Sequence, residues 1–502
     1  MAETLQFAGE FRLDACELIS SSGITVDISK IIAEINIFED IFSNALTGSI
    51  IITDTNNLID NMPIIGQEYI SLKITTPGLD GDDGFDFTKN VFCVYEMGGR
   101  TPATSNSEVI ELKICSPELL RNHRVRISKS YEETADQIVK SIMENQKYIN
   151  TKKNLYIEPT LGIRKILSPN FHPYHLIKQL TRESMSAKND SPHYLFFENK
   201  NGFHFRSLQS LYDDGVQGEF HFGDKGIDES YTNSSDSGKL VQAYKRIINI
   251  STPSQNNSLF DIKGGMLGSK LIMHDIYNKR YNTSTFSYFD DHDKHRRLEK
   301  SSAPKYNNVL IDDENTVGSF TDSRIHLHPT SITEDDKDAQ YIGVPDKDAQ
   351  AAKAEQDRQN ALYEGNPITI EGAEDANKDY MSNRADKWLL QRQQRIHELN
   401  SGMTINISVH GNTSLTVGQV IHVSLPVFGT DHENTKQSKH QSGLYLISKL
   451  RHTFEPPTRT HTVSLQATKD SYPINFEKKA SGKEPTPGGT PTVYQISEGG
   501  PR

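Results

Sequence analysis

The stretch "SGMTINISVHGNTSLTVGQVIHVSLPVFGT", Ser401 to Thr430, limits what this chain can become. Met403, Ile405, Ile407 and Val409 are separated by Thr404, Asn406 and Ser408, and a second apolar run, Val420 to Leu425, ends against Pro426. A period of two puts every second side chain on one face, so the stretch reads as half-buried strands with one wet face. The same alternation opens the chain at Phe11, Leu13 and Ala15, and again at Ile24, Val26 and Ile28. From Ile31 to Pro77 three apolar runs follow, broken at Ser43–Gly48, Asp54–Pro63 and Gly66. Their short polar turns leave no room for a helical crossover, so the strands are expected to be antiparallel, as a meander or barrel. "NVFCVYEMGG" and "EVIELKICS" read as a closing hairpin, with a boundary near Cys115.

Helical signals come next. In "SKSYEETADQIVKSIMENQ", Ser130 and Glu133 form a capping box, and Ala135, Ile138, Val139, Ile142 and Met143 share one helical face. "FHPYHLIKQLTRES" offers a second helix with Pro173 in its first turn. "HYLFFENKNGFHFRSL" reads as a hairpin in which Asn201-Gly202 separates two aromatic runs. β character is expected to return at Val241 in "VQAYKRIINIS". A long helix, "KDYMSNRADKWLLQRQQRIHELN", is expected to carry Tyr380, Arg384, Trp388, Leu389, Ile396 and Leu399 on one stripe and to end at Gly402, with Trp388 as a packing anchor.

The expected fold is mainly β (α+β): two antiparallel β-barrel domains with an α/β module between them and an insertion in the second. The expected divisions are a first β domain over 1–117, an α/β module over 118–235, and the start of a second β domain over 236–330. A polar insertion over 331–377 follows, then the long helix and the rest of the second β domain over 378–475, and a tail over 476–502. The insertion is rich in Asp, Lys, Gln and Ala and too poor in large apolar residues to bury a core, so it is expected to be mobile. The Pro/Gly/Thr content of the tail points to an unstructured segment.

Composition narrows the function. The 502 residues are 35% hydrophobic with a net charge of −12, and the mean hydropathy is −0.60. An acidic chain lacks the basic face of a dedicated nucleic-acid binder, and the densest basic cluster, "KHRR" from Lys294 to Arg297, reads as a solvated loop. Cys16, Cys93 and Cys115 form no CxxC pair, which suits synthesis in a reducing cytoplasm. "MAETLQFAGEF" lacks the basic start and apolar core of a signal peptide, and no apolar run reaches the roughly 18 residues of a membrane helix.

Candidate chemistry fails motif by motif. "DGDDGFD" from Asp80 would need glycine and glutamate where an EF-hand loop has Phe85 and Val91. His172 with His175, and Asp290, Asp291, His292, Asp293 and His295, have donors for a metal but not the spacing of a known site. "GIDESYTNSSDSG" from Gly226 lacks a nucleophile elbow, and "GGMLGSK" (Gly264 to Lys270) lacks phosphate-loop spacing. No residue is singled out as catalytic, cofactor-binding or metal-ligating, no cofactor is expected, and the chain is read as a non-enzyme. A carboxylate pair that meets only in three dimensions stays open.

Two patterns carry a resemblance. One is "INIFEDIFSNALTGSIIITDTNNLIDNMPIIGQEYISLKITTP"; the other is "GNTSLTVGQVIHVSLP" with its sequel "SGLYLISKLRHTFEPPTRTHTVSLQATKDSY". Together they resemble the baseplate central hub proteins of contractile-tailed, T-even-like bacteriophages, a group related to phage late control protein D and the type VI secretion spike base. The resemblance runs from residue 5 to about residue 475 and leaves out 331–377 and the tail. It implies that both β domains have the tail-tube fold, so that a homotrimer presents six similar units. It further implies a structural role adapting a six-fold tail tube to a three-fold spike, in the virion's baseplate. The implied partners are a second and third copy, the spike, a tube or tube-initiator protein and wedge proteins, with DNA passing through the lumen unbound. A hub with fused cell-wall hydrolase activity, and a stand-alone saccharide- or nucleic-acid-binding β protein, are the alternatives.

Overall fold

The computed structural model of the chain describes residues 7–55, 64–76, 84–104, 106–223, 236–254, 257–276, 279–299, 320–330, 384–427 and 437–473, with a few isolated positions between them. The expected insertion (Gln340 and Tyr341 apart), the tail and most of "GLDGDDGFD" and "GIDESYTNSSDSG" lie outside the described residues. The fold is mainly β, as the alternation requires, and its largest element is a 14-stranded sheet.

That sheet runs round two cores. Around the first, Ile32–Asp40, Thr47–Asp54, Ser107–Cys115, Phe92–Thr104, Tyr69–Thr75 and Arg12–Ile19 pair in that order, all antiparallel. Beyond Arg12, a bridge joins Glu10 to Thr460, and the His461 N–H donates to the Gly9 carbonyl at 2.7 Å. The chain there meets a long hairpin, Gly443–Glu455 with Thr460–Lys469, whose first strand returns to Ile32–Asp40.

The same hairpin belongs to the second circuit. Thr460–Lys469 pairs with Met403–His410, which pairs with Ile247–Ser254. A single bridge from Arg246 reaches His221, and Val216–His221 leads through Val420–Ser424 back to Gly443–Glu455. Each circuit is thus completed at one point by an isolated bridge. Within this sheet one strand pair departs from the antiparallel expectation: Val216–His221 runs parallel to Val420–Ser424. The long, partly helical excursion between them supplies the crossover a parallel pair needs.

The cores follow from this sharing. Met403, Ile405, Ile407 and Val409 are buried together with Tyr445, Leu446, Val463 and Leu465 from the hairpin. Phe454, near its tip, belongs to the other core, among Phe11, Ile35, Ile37 and Phe85. The tip is closely approached: a Cβ on Gly411 would stand 2.0 Å from the His461 ring.

A module of two small sheets lies between these strands in sequence, with four helices among the described residues: Pro117–Arg124, Ala135–Glu144, Pro173–Glu183 and the short Leu208–Asp213. Helix Ala135–Glu144 buries Ala135, Ile138, Val139, Ile142 and Met143, the face its periodicity marks. Its cap is Thr134, however, not Ser130: Ser130 and Glu133 lie in strand Ile127–Thr134, opposite Leu167 and Arg164. Ladder pairing with Ile163–Phe171 satisfies those backbone groups, so the capping-box pattern is overruled. Helix Pro173–Glu183 starts on its proline as expected. The hairpin Tyr194–Asn199 and Gly202–Ser207 turns at Lys200-Asn201, one residue earlier than expected, because Gly202 pairs with Asn199. Gly202 has φ +137°, and a Cβ there would lie 2.3 Å from the Asn154 carbonyl oxygen.

Three further expectations are corrected. Val241 falls in helix Asp236–Lys245, and the strand begins only at Ile247. Arg297 of "KHRR" is 6% exposed rather than solvated. Helix Ala385–Ser401 does end at Gly402 and buries Trp388 and Leu399, but its buried face also includes Gln394, Arg395 and Glu398. The helix covers a four-stranded sheet built on Gly268–Asp275 and Arg280–Ser287, with Met266, Leu271, Phe286 and Tyr288 in the shared core.

Candidate functional site: a polar wall and the joint behind it

Strand alternation leaves the outer face of the shared sheet polar. Asn406, Ser408, Ser464 and Gln466 stand on it beside Asn249 and Ser251, and the sheet curves there into a shallow concavity of about 610 Å³ that reaches Phe38, Lys449 and Arg451. The cations on this face lie against carboxylates. Arg451 Nη2 is 3.0 Å from Glu34 and Lys449 Nζ is 3.5 Å from Asp40, while Lys113 donates to Glu96 at 2.8 Å. Arg451 Nε also donates to Asn36 Oδ1 at 2.9 Å. Such exposed pairs add at most about 1 kcal/mol each. Their larger effect is on the surface, which offers hydroxyls and amides and little uncompensated positive charge. It can be wetted and can slide past an anion, but it holds no phosphate firmly.

Behind the wall, buried charges tie the parts together. Glu39, on strand Ile32–Asp40, accepts from the Lys200 N–H and the Val417 N–H, both at 2.9 Å. One carboxylate therefore joins the first core, the module's hairpin turn and the loop before Val420. Burial pushes the Glu39 carboxyl up to about 7, against the pull of those two donors and of Lys200. Glu198 accepts from the Leu46 N–H (2.8 Å), Ser116 Oγ (2.9 Å) and Lys153 Nζ (2.6 Å), and Lys153 also reaches Glu118 at 2.9 Å. Glu398 accepts from Arg297 and Arg395 at 2.9 Å each, and Arg395 continues to Asp470 at 2.7 Å. Burial opposes ionisation of Glu398, but the two guanidiniums overcome it and hold the carboxyl down to about 2.

The raised Glu39 carboxyl has a sign that can be worked out. Its folded-state value lies above the ordinary 4.5, so its contribution is fully present below 4.5 and is lost as pH rises towards 7. Relative to Glu39→Gln, which does not titrate, the wild type should lose about 3 kcal/mol between pH 4.5 and pH 8. Urea unfolding of both proteins at the two pH values measures this difference, and a constant difference would refute it.

The residues weighed as metal donors are not brought together. His172 Nδ1 lies 2.9 Å from the Asn122 carbonyl and 3.0 Å from the Val125 carbonyl, where it fastens one helix end to another. His175 packs on Phe171 instead. His292 contacts Asp293 at 2.8 Å, whereas His295 packs edge-on to His193. Among the described residues, no group of three or more His, Cys, Asp or Glu side chains could hold a metal ion. Cys16, Cys93 and Cys115 are free and buried. No helix of the described residues is long and apolar enough to cross a membrane. Sequence reading missed the buried ionic residues Glu39, Glu198, Glu398 and Asp470. Glu398 lies three residues after Arg395, a helical spacing that marks one pair, but the other partners are remote in sequence.

No family model matches the chain. It is similar to "Probable baseplate hub protein gp334" of Vibrio phage KVP40, with 20% identity over 443 residues that span 87% of this chain and 89% of that protein. Among solved structures, the tail protein from Neisseria meningitidis MC58 aligns with 92% of this chain and 97% of its own at 9% identity and a TM-score of 0.46. The 43 kDa tail protein of prophage MuSo2 from Shewanella oneidensis aligns with 91% and 98% at 8% identity and a TM-score of 0.43. The E. coli c3393 protein, described as a component of the type VI secretion system, aligns with 93% and 79% at 9% identity and a TM-score of 0.37. By sequence along most of its length, this chain is a distant relative of a phage protein named as a baseplate hub, the kinship its two strand patterns pointed to.

Proposed function

We propose that the chain is a structural, non-catalytic hub in the baseplate of a contractile phage tail. In this reading three copies form a ring that adapts a six-fold tube to a three-fold spike. The curated phage relative supports the baseplate role. The observation that carries the finer reading is the shared hairpin, Gly443–Glu455 with Thr460–Lys469, which holds two sheet circuits side by side in one chain. Three copies of a chain with two such units present six around an axis, so the molecule meets six-fold symmetry on one side and three-fold on the other. The partners are then two further copies, the spike, a tube or tube-initiator protein and wedge proteins, and the location is the virion's tail tip. The polar wall suits the lining of a DNA conduit because its cations face carboxylates, leaving little to hold passing phosphates.

Light scattering on the purified chain should give a trimer, and imaging of the isolated tail tip should place the wall inward. A persistent monomer, or a wall facing outward, would overturn the reading. Asn406→Lys with Gln466→Lys makes the wall basic without touching the core. Such a phage should still assemble tails but lose about an order of magnitude in plating efficiency as exiting DNA is retained. Unchanged plating would remove the conduit role.

A further inference from the structure

A second concavity shares none of this wall's residues. It is a cleft of about 940 Å³ between helices Pro173–Glu183 and Ala385–Ser401, bordered by Phe260, Arg324 and His326. Its chemistry is opposite to that of the chain as a whole. In a protein of net charge −12, the cleft gathers Lys178, Arg182, Arg324 and Arg392 against one carboxylate, Glu183.

The four cations lack anionic partners among the described residues. Arg392 donates to two backbone carbonyls, Tyr194 at 2.8 Å and Pro192 at 3.4 Å. With the Gln393 amide turned so that its oxygen faces the Arg324 guanidinium, that oxygen accepts at 2.8–3.0 Å and the amide nitrogen lies 2.9 Å from His326 Nε2; Arg324 also donates to the Gly264 carbonyl at 3.3 Å. Both arginines therefore have neutral partners. Lys178 and Arg182 are exposed one turn apart on their helix. Glu183 lies close enough to the buried Arg164 guanidinium to stabilise its charge, so it offers less compensation to the cleft. Burial and the neighbouring Arg182 charge push Arg392 down to about 10, the direction expected for cations crowded without an anion.

The floor of the cleft is apolar. Trp388 is 6% exposed, Leu389 and Ile396 are half-buried, and Phe260 projects at the rim, stacked on His397 with ring centroids 4.9 Å apart. Charge on the rim with an apolar floor favours a polypeptide over a nucleic acid, which would present phosphates but no aliphatic side chains for the floor. The chain's overall negative charge also repels a long polyanion.

We propose that this cleft docks a segment of a partner protein in which two or more carboxylates flank a large apolar side chain. The carboxylates would pair with Arg182, Lys178 and Arg324, and the apolar side chain would cover Leu389 and Ile396 beside the buried Trp388. The inference does not depend on the hub reading, since it rests on the charge and shape of a different surface.

The chain's single tryptophan lies in the cleft, so its emission reports occupancy directly. A short synthetic peptide alternating glutamate with leucine is titrated into the full chain, alongside the same peptide with glutamine for glutamate, and a short duplex DNA. The glutamate peptide should saturably change Trp388 emission with at least about tenfold higher affinity than the glutamine peptide. Arg182→Glu with Arg324→Glu, both at exposed positions, should abolish that preference while leaving the far-ultraviolet circular dichroism unchanged. Equal binding of both peptides, binding without an emission change, or a preference that survives the charge reversals would overturn the proposal. An emission change with DNA but not with the peptide would assign the cleft to nucleic acid. A change that appears with protein concentration alone would assign it to a second copy.

Discussion

Replacing Phe454 with alanine should cost about 3–5 kcal/mol, and the loss should appear in the half of the molecule remote from it in sequence. Phe454 is fully buried, with its ring 5.1 Å from Phe11, 5.7 Å from Phe85 and 4.0 Å from His461. It comes from the C-terminal hairpin but fills the core made by residues 11–114. Truncation leaves a cavity that rigid strands cannot collapse around, since two of its neighbours are themselves held in the ladder. Urea unfolding measures the total cost. Hydrogen exchange should show faster opening of Arg12–Ile19 and Ile32–Asp40 than of Met403–His410. A loss below about 1 kcal/mol, or protection lost only in the C-terminal strands, would mean the hairpin does not couple the two cores.

Glu398→Ala should be comparably severe, also about 3–5 kcal/mol, for an electrostatic reason. Glu398 is fully buried and is the carboxylate that Arg297 and Arg395 share. Removing it leaves two buried guanidiniums with Asp470 as their remaining carboxylate among the described residues, besides backbone carbonyls and the Tyr288 ring under Arg297. The cost arises from charge left unpaired in a low dielectric, not from the strength of one bond. A double-mutant cycle with Arg297→Ala tests this: the second substitution should restore part of the lost stability, because it removes one stranded cation. Strictly additive losses would show that Glu398 acts through packing alone.

Met403, Ile405, Ile407 and Val409 are buried as their alternation requires, because a strand edge-on to a core has no other way to divide its side chains. Helix Ala135–Glu144 shows its apolar face equally plainly. Its start was misread, because Ser130 and Glu133 satisfy a local capping pattern that a neighbouring strand overrides. The expectation of β character from Val241 fails for a related reason: helix Asp236–Lys245 takes the first part of that stretch, and the strand begins at Ile247. The buried charges escaped for a more general reason. A polar residue reads as solvated unless its partner is known, and the partner of Arg297 lies in a helix that begins at Ala385.

The order of strands and turns, the mainly β class and the wet face of the sheet were determined by the chain itself, through periodicities that act over a few residues. The hairpin's division between two cores, the three-way grip of Glu39 and the clustering of four cations beside Trp388 were decided only by tertiary structure. Each depends on groups that are distant along the chain, and no local pattern records which of them will meet once water is excluded.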